Sequence, residues 1–434
     1  MTSVAEVVLW GRVIGAVALR EGDAAARFDY TKEFIGSGVE VSPFGMPLSS
    51  RVYSFPALPK ESFHGLPGLL SDSLPDRFGN ALINAWLARQ GRAPGDLNPV
   101  ERLCYVGERG MGALEFRPST GPDTETSTEV DVAELVRLAS AILQERSGWE
   151  HSLSDTDEHG LEAILKVGTS AGGARAKALI AWNPVTNEVK SGQLQLEPPF
   201  EHWMLKFDGV SNNRDRELAD TMGFGRVEMA YHRMAVDCGI VMMPCRLHEE
   251  GGRAHFMTRR FDRTPNGQKV HMQSLAGLRH FDFNAAGAHG YEEAIQTIRN
   301  LGGGRKDVEQ MVRRAIFNVV ARNQDDHVKN IAFLMDRKGK WSLAPAFDLT
   351  WSYNPDGIWA GSHQMSVNGK RDVFSRKDIE VLGEVSFLPR GLALQILDQV
   401  LDVVSGWRDY ARESGVSPDQ TADIGRTHRM GLGS

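Results

Sequence analysis

The sequence predicts a mixed α+β protein that contains more than one domain. A chain of 434 residues is too long for one ordinary hydrophobic core. Its first residues show the short apolar runs of strands, whereas helical spacing dominates after residue 285, apart from one hairpin. A hydrophobic content of 41% with 24% charged residues is typical of a globular protein, so extensive disorder is not expected.

Charge and cysteine content exclude several classes of protein. A formal net charge of −7 gives the chain as a whole none of the basic balance that drives binding to nucleic acid, so contact with DNA would need a basic partner. The three cysteines provide neither a disulfide framework nor a CxxC metal motif. This cysteine content predicts that the protein is located in a reducing cytoplasm. Glu6 and Arg12 interrupt the apolar N-terminus, and no apolar run reaches the roughly 18 to 20 residues that span a bilayer. We therefore expect neither export nor membrane insertion.

Residues 1–118 are predicted to form a β-rich subdomain. The stretch VVLWGRVIGAVAL indicates two strands around Gly11 and Arg12, and RVYSF indicates another strand. The stretch SLPDRFGNALINAWLARQG then opens with Ser73 and carries apolar residues at helical spacing. A helix is therefore expected to follow these strands.

A polar, acidic segment between Pro118 and Asp131 predicts a domain boundary, because it cannot bury enough apolar surface to offset its ordering entropy. Residues 131–260 contain three predicted strands, KALIAWN, HWMLKFDG and RAHFMTRRFDRT, and the predicted helix RVEMAYHRMAVDCG. Residues 261–425 are predicted to be mainly helical. The terminal stretch DIGRTHRMGLGS is predicted to be mobile.

The most informative segment is ARNQDDHVKNIAFL, which follows the predicted helix RKDVEQMVRRAIFNVVA. The stretches NIAFLM and KWSLAPAFD indicate two strands about a DRKG turn. Pairing about this turn sets Asn330 nearly opposite Phe347 and Asp348, and directly opposed residues have Cβ atoms about 5 Å apart. One divalent ion could therefore contact the side chains of Asn330 and Asp348.

This spacing suits phosphoryl transfer from ATP. The reaction needs a carboxylate that orients the acceptor hydroxyl, and an Asn and an Asp that hold Mg²⁺ against the phosphates. Asp325 and Asn330 have the D-x-x-x-x-N separation of the catalytic loop of protein kinases. Asp348 occupies the place of the second metal ligand, although Leu349 follows it instead of the Phe-Gly of kinases.

Two other interpretations of this motif are open. Asp325, Asp326 and Asn330 could form a solvated turn at the end of a helix, which is a common use of Asp and Asn side chains. A zinc site formed by Asp325, Asp326 and His327 is disfavoured, because three successive side chains rarely converge on one ion.

Two further segments could bind phosphate groups. In the predicted strand HWMLKFDG, side chains alternate between the two faces, and this pattern favours Lys206 as a phosphate-binding lysine. Its candidate partners are Glu228 and Glu217. The simpler interpretation is that Lys206 is a surface lysine on an edge strand. The loop KVGTSAGGARAKALIAW is rich in small residues that let backbone N–H groups approach phosphate oxygens, and Arg175 and Lys177 add positive charge. A plain flexible loop is the alternative for that segment.

Taken in order, the motifs GTSAGGARAK, MLKFDG, RRFDR, DDHVKN and APAFDLT resemble those of the HipA family of bacterial serine/threonine kinases, the toxins of HipBA-type toxin–antitoxin modules. The stretches LWGRVIGAVAL, DSLPDRFGNALINAW and VGERGMGALEF resemble the N-terminal subdomain of that family. The resemblance implies a two-lobed protein-kinase-like fold with an additional β-rich N-terminal subdomain. It assigns residues 131–260 to the kinase N-lobe and residues 261–425 to the C-lobe, with ATP and Mg²⁺ between the lobes.

Matching of motifs also implies roles for individual residues. Asp325 takes the place of the catalytic base, although Asp326 leaves a shift by one residue open. Lys206 takes the place of the phosphate lysine, and Asn330 and Asp348 those of the metal ligands. The implied ATP-binding positions are Gly172, Gly173, Ala174, Arg175, Lys177, Lys206, Arg259, Arg260, Phe261, His327, Lys329, Asn330 and Asp348. Among these, Arg259, Arg260 and Phe261 match the hinge that holds adenine.

The resemblance further implies regulation and partners. Ser170 matches the autophosphorylated serine of the family, with Thr169 as the alternative acceptor, and two added negative charges in a phosphate-binding loop would oppose ATP. The implied partner is a small dimeric helix-turn-helix antitoxin that carries the kinase to operator DNA. The implied substrates include aminoacyl-tRNA synthetases. A small-molecule phosphotransferase of the aminoglycoside-kinase type and a non-catalytic co-repressor are the alternative functions.

Overall fold

The computed structural model describes residues 2–121, 131–144, 164, 175–194, 196–210 and 222–433. The chain begins with a four-stranded antiparallel sheet in the order β3-β2-β1-β4. Its strands are β1 (Thr2–Leu9), β2 (Arg12–Arg20), β3 (Arg27–Tyr30) and β4 (Leu114–Arg117). The predicted β1–β2 hairpin is confirmed, and it turns through Trp10 and Gly11, whose φ values of 51° and 79° are those of a type I′ turn.

The stretch RVYSF does not form the predicted strand. Tyr53 forms an isolated bridge with Phe28, and its neighbours leave the sheet. Tyr53 serves instead to pack, because it is buried and lies edge-on to Tyr30, whereas Val52 is exposed.

Five helices complete this first unit. They are α1 (Lys32–Ile35), α2 (Lys60–Phe63), α3 (Gly68–Ser71), α4 (Arg77–Arg89) and α5 (Pro99–Val106). A 3₁₀ turn, Pro94–Asp96, precedes α5. The predicted helix is α4, but it begins later than Ser73, because Asp76 caps its first turn by accepting the N–H of Gly79 at 2.7 Å.

The second unit is built on a five-stranded antiparallel sheet in the order β6-β5-β7-β9-β8. Its elements are α6 (Val132–Gln144), β5 (Lys177–Trp182), β6 (Val189–Ser191), β7 (Glu201–Lys206), α7 (Phe224–Asp237), β8 (Cys245–Glu250) and β9 (Arg253–Arg259). Helix α7 lies directly on this sheet at Gly225, where an added Cβ would come within 2.0 Å of the carbonyl oxygen of Ala254. Glycine is therefore required for this close approach.

The third unit is mainly helical, as predicted. Its elements are β10 (His271–Ser274), α8 (Leu275–Arg279), α9 (Tyr291–Asn300), α10 (Arg305–Val320), β11 (Ala332–Met335), β12 (Trp341–Leu343), α11 (Arg376–Val385), α12 (Leu392–Ser405), α13 (Trp407–Glu413) and α14 (Pro418–Gly425). Strands β10, β11 and β12 form an antiparallel sheet. Two 3₁₀ turns, Val328–Asn330 and Met430–Gly433, lie before β11 and near the C-terminus.

The C-terminal stretch is docked, so the prediction of a mobile tail is wrong for the residues described. Arg429 donates to the carbonyl oxygen of Val319 at 2.7 Å, and Tyr231 contacts His428 through its hydroxyl group at 3.0 Å. The tail therefore packs between α7 and α10.

The N-terminal subdomain shares its apolar core with both other units. One buried cluster joins Val7 and Phe28 of its sheet to Val319 and Phe333 of the third unit. A second cluster joins α4 and α6 to the five-stranded sheet and includes the fully buried Leu82. This subdomain thus packs against the N-lobe and the C-lobe at once.

Within the part of the chain that the structure describes, no helix is long and apolar enough to cross a membrane. The domain boundary predicted between Pro118 and Asp131 falls mostly outside the described residues and stays a prediction.

Candidate active site

A cleft of about 580 Å³ opens where the three units meet. The N-terminal subdomain contributes Asp76 to its wall, the five-stranded sheet contributes Lys177 and Lys206, and the third unit contributes Asp325 and Asp348. This volume lies in the range of about 300 to 1,000 Å³ that is usual for small-ligand sites. Lys177, Lys206 and Asp348, which the sequence singled out for phosphate or metal binding, therefore meet around one space.

Lys206 binds two carboxylates in this cleft. Its ammonium group donates to Glu228 on α7 and to Asp348, which follows β12. The side chain of Lys206 is only 8% exposed, and β7 lies inside its sheet between β5 and β9, so the interpretation as a surface lysine on an edge strand is wrong. Glu228 takes the partner position, whereas Glu217 lies outside the described residues.

The charges around Asp348 favour its ionised form. Burial acts to raise the pKa of Asp348, but the ammonium groups of Lys206 and Lys177 oppose this effect and lower the pKa to about 2. Burial likewise acts to lower the pKa of Lys206, and Asp348 and Glu228 more than reverse it. Asp348 also has a φ of +54°, a backbone conformation that non-glycine residues rarely adopt. The structure thus holds a charged carboxylate in a strained position.

The loop from Asp325 to Asn330 closes on itself. The side-chain amide of Asn330 donates through Nδ2 to the carbonyl oxygen of Asp325 at 2.9 Å, which leaves Oδ1 as the atom that can bind a cation. The carboxylate of Asp325 accepts from the indole N–H of Trp359 at 2.6 Å, and its side chain is 45% exposed. Both Asp325 and Asn330 line the cleft.

Asp326 points into the protein. Its carboxylate accepts from the hydroxyl of Tyr291 and the backbone N–H of Gln364 and pairs with Nδ1 of His363, each at 2.8 Å. Burial acts to raise the pKa of Asp326, and His363 and these hydrogen bonds together lower it. Asp326 is therefore not part of a solvated turn. Its contacts also draw it away from Asp325 and His327, so the three residues do not form a zinc site.

Two cations border the predicted phosphate-binding loop. Arg175 lies 3.2 Å from Glu228, and Lys177 lies directly across the sheet from Lys206 in the β5–β7 register. Both line the cleft. The other predicted residues of this loop lie outside the described residues, namely Thr169, Ser170, Gly172, Gly173 and Ala174.

The predicted hinge residues lie away from the cleft lining, whereas the predicted residues between Asp325 and Asn330 line it. Arg259 pairs with Glu201 at 3.3 Å, and Arg260 is buried on Asp262 at 2.7 Å, so both guanidinium groups bind protein carboxylates. Phe261 packs on Phe347, with ring centroids 5.5 Å apart. The lining of the cleft includes none of Arg259, Arg260 and Phe261 among the residues described, whereas it includes His327 and Lys329.

Several cleft residues were not predicted from the sequence. His64, Asp76 and Arg77 line the cleft from the N-terminal subdomain, and Trp359 lines it from the loop after β12. The Asp in SLPDRFG carries a local signal for a helix cap, but that signal does not indicate which other unit the capped end will face. Trp359 has no local signal that we can identify.

The residues around Asp348 suit a magnesium ion. Mg²⁺ prefers oxygen ligands and is usually held by one or two protein groups together with phosphate oxygens. Asn330 has its amide nitrogen occupied and its carbonyl oxygen available, and Asp348 has a second carboxylate oxygen besides the one on Lys206. Hence Asn330 and Asp348 fit the group that the sequence predicted for them.

The three-unit architecture and the cleft define a two-lobed, protein-kinase-like α+β protein with an additional N-terminal subdomain. Residues 5–117 match the HipA N-terminal domain, and residues 169–407, more than half of the chain, match the HipA-like C-terminal domain. The chain belongs to the HipA family.

Known proteins resemble the chain over different lengths. Of two Sinorhizobium fredii proteins, "Putative kinase Y4mE" is 25% identical over 94% of this chain and 85% of its own length. "Putative kinase Y4dM" is 27% identical over 38% of this chain, a match that spans only 41% of that protein. A solved chain described as belonging to the Shewanella oneidensis MR-1 toxin–antitoxin system of HipA, HipB and operator DNA aligns with a TM-score of 0.66 at 16% identity, covering 99% of this chain and 96% of that one. At this identity the alignment supports the shared fold.

Proposed function

We propose that the protein is an ATP- and Mg²⁺-dependent serine/threonine protein kinase that acts as the toxin of a HipBA-type module. One observation carries the proposal: Lys206 is held by Glu228 and Asp348 at a cleft that Asp325 and Asn330 also line. A phosphate-binding lysine, a base and two metal ligands are the parts that phosphoryl transfer requires.

In the proposed reaction, the acceptor hydroxyl oxygen forms a bond to the γ-phosphorus as the bond from phosphorus to the leaving ADP oxygen breaks. Asp325 accepts the hydroxyl proton, and the indole N–H of Trp359 orients its carboxylate. Lys206 binds the α- and β-phosphates, and Glu228 keeps its ammonium group in place. Asn330 and Asp348 would hold Mg²⁺, which neutralises charge on the phosphates when it is bound.

The choice of Asp325 over Asp326 as base follows from their surroundings. Asp325 is exposed to the cleft, whereas both oxygens of Asp326 accept hydrogen bonds from Tyr291, His363 and Gln364. A base must reach the acceptor hydroxyl, and Asp326 has no path to it from the interior.

Ser170 is the proposed site of autophosphorylation, and it lies outside the described residues. The proposed partner is a dimeric, HipB-like helix-turn-helix antitoxin that binds operator DNA. A net charge of −7 and the presence of HipB and operator DNA in the Shewanella complex support this choice. The proposed target is a cytoplasmic protein of the aminoacyl-tRNA synthetase class, whose phosphorylation would inhibit translation.

Incubation of the purified, unmodified protein with Mg-ATP tests the function directly. We expect intact-mass analysis to show one added phosphate, peptide mapping to place it on Ser170, and Asp325→Ala to show none. Asp409→Ala provides the matched control, because Asp409 is an exposed aspartate on α13 that pairs with Arg412. It should retain the phosphate.

Other outcomes would point to the alternative functions. An unchanged mass of the wild type in the presence of Mg-ATP, with tight binding of the antitoxin, would favour a non-catalytic co-repressor. Phosphate transfer to aminoglycosides, but to no protein, would favour the small-molecule phosphotransferase.

A further inference from the structure

Asp76 brings the N-terminal subdomain into the cleft, and the proposed mechanism gives it no role. Its Oδ1 accepts the N–H of Gly79 and so caps α4. Its Oδ2 is buried and accepts no hydrogen bond from the residues that the structure describes. This oxygen lies 3.8 Å from Nζ of Lys177, and both side chains are only 5% exposed. Thus one oxygen of Asp76 caps a helix, and the other faces a lysine of the kinase N-lobe.

Lys177 lies next to a second buried lysine in the cleft. It stands directly opposite Lys206 on the neighbouring antiparallel strand, where Cβ atoms are about 5 Å apart and like charges destabilise a sheet. Lys206 lies against Glu228 and Asp348, and Lys177 lies against Asp76. Both lysines line the cleft. Two adjacent ammonium groups that face one cleft match the charge of a polyphosphate.

The Asp76–Lys177 pair is held in place at a cost to the fold. Burial raises the pKa of Asp76 to about 6, although Lys177 opposes the shift. Burial lowers the pKa of Lys177, although Asp76 and Asp348 oppose that shift. Both changes favour the neutral forms, so burial outweighs the attraction between the two groups. Buried titratable groups with shifted pKa values that line a cleft are candidates for functional sites.

We propose that Asp76 is a positioning residue that holds the ammonium group of Lys177 beside that of Lys206, so that the two lysines bind the nucleotide polyphosphate as a pair. The inference rests on the proposed function, since it concerns the same nucleotide site. Asp76 acts through Lys177 and does not itself contact the substrate. The N-terminal subdomain then completes the nucleotide site instead of serving only as a docking module.

Asp76→Asn tests the inference, because asparagine caps helices as well as aspartate does and removes only the charge. Calorimetry would measure the binding of a non-hydrolysable ATP analogue with Mg²⁺, and of AMP. We expect the variant to bind the ATP analogue about tenfold more weakly, the effect of one charge-assisted contact, and to bind AMP within about twofold of the wild type. A merely structural role would weaken the binding of both ligands alike.

A double-mutant cycle shows whether Asp76 acts through Lys177. Lys177→Met should weaken binding of the ATP analogue, and adding Asp76→Asn to it should produce no further loss. Glu101→Gln is the control: it removes a carboxylate from the capping box of α5 in the same subdomain, and should leave binding unchanged. Asp76→Ser, which also preserves a cap, substitutes if the asparagine variant does not fold.

The outcomes separate this inference from the proposed function. A wild type that binds no Mg-bound ATP analogue would contradict the kinase function and, with it, the role of Asp76. A wild type that binds the analogue with the same affinity as Asp76→Asn would overturn the role of Asp76 alone. Equal losses from Asp76→Asn with and without Lys177 would also overturn it.

Discussion

At the scale of single residues, the adjacent Asp325 and Asp326 show how one step along a loop changes a side chain's role. Asp325 is 45% exposed and faces the cleft, whereas Asp326 is 1% exposed and binds Tyr291 and His363. The sequence DD contains no signal that separates the two. The distinction arises from which carboxylate finds buried hydrogen-bond donors, and those donors lie 35 positions before and 37 positions after Asp326 in the chain.

We predict that Asp326→Ala unfolds the protein much more easily than Asp325→Ala. Removal of Asp326 leaves the hydroxyl of Tyr291 and the imidazole of His363 without their buried partner, which should lower the free energy of unfolding by about 3 kcal/mol or more. Removal of the exposed Asp325 should change stability by only about 0.5 kcal/mol. Thermal or urea denaturation of the two variants checks this difference. Equal destabilisation of both would show that the two carboxylates share one structural role.

At the scale of elements, local signals predicted local structure. The β1–β2 hairpin follows from its turn at Gly11, and the β11–β12 hairpin from the turn at Gly339, which has a φ of +81°. Helix α10 follows from apolar residues at helical spacing. The separation of Asp325 and Asn330 is equally local, so their motif could be recognised from the sequence.

Elements that depend on distant contacts were not predictable in this way. The failed strand around Tyr53 and the docked tail are both decided by packing partners elsewhere in the chain. The same holds for the site, because the contacts Lys206–Glu228 and Asp76–Lys177 join residues on different elements. Sequence patterns indicate two candidate partners for Lys206 and none for Lys177. Spacing along the chain cannot determine which helix ends face a common cleft.

The docked tail contacts the loop that carries the proposed base, and Arg429→Ala tests whether it supports that loop. Arg429 lies 2.8 Å from Nε2 of His363, whose Nδ1 pairs with Asp326 beside the proposed base. We expect the substitution to lower the free energy of unfolding by about 1 to 3 kcal/mol and to slow autophosphorylation, because Nε2 of His363 loses its partner. Arg426→Ala is the matched control, since Arg426 forms an exposed pair with Asp423. A stable and fully active Arg429→Ala protein would contradict this role of the tail.

At the scale of the whole molecule, the three units are joined both by their cores and by their cleft. One apolar cluster links the N-terminal sheet with the C-lobe, and the other links α4 and α6 with the five-stranded sheet. The charged groups follow the same pattern, because Asp76, Lys206 and Asp348 each belong to a different unit and line one space. A ligand that filled this cleft would therefore lie between all three units.

This arrangement predicts that Mg-ATP stabilises the molecule as a whole. A ligand that binds only the folded state at 100 times its Kd adds about 2.7 kcal/mol to the free energy of unfolding. Because the cleft has walls from all three units, calorimetry should show the entire unfolding transition moving to higher temperature, and not one part of it.

Lys206→Ala should lower the affinity for ATP by about 1.5 to 3 kcal/mol, the value of a charge-assisted contact, and so reduce the shift at equal ATP concentration. Lys377 is an exposed lysine that pairs with Glu380, so Lys377→Ala should retain the full shift in unfolding temperature. A nucleotide that shifted only part of the transition would show that the N-terminal subdomain unfolds independently of the nucleotide site.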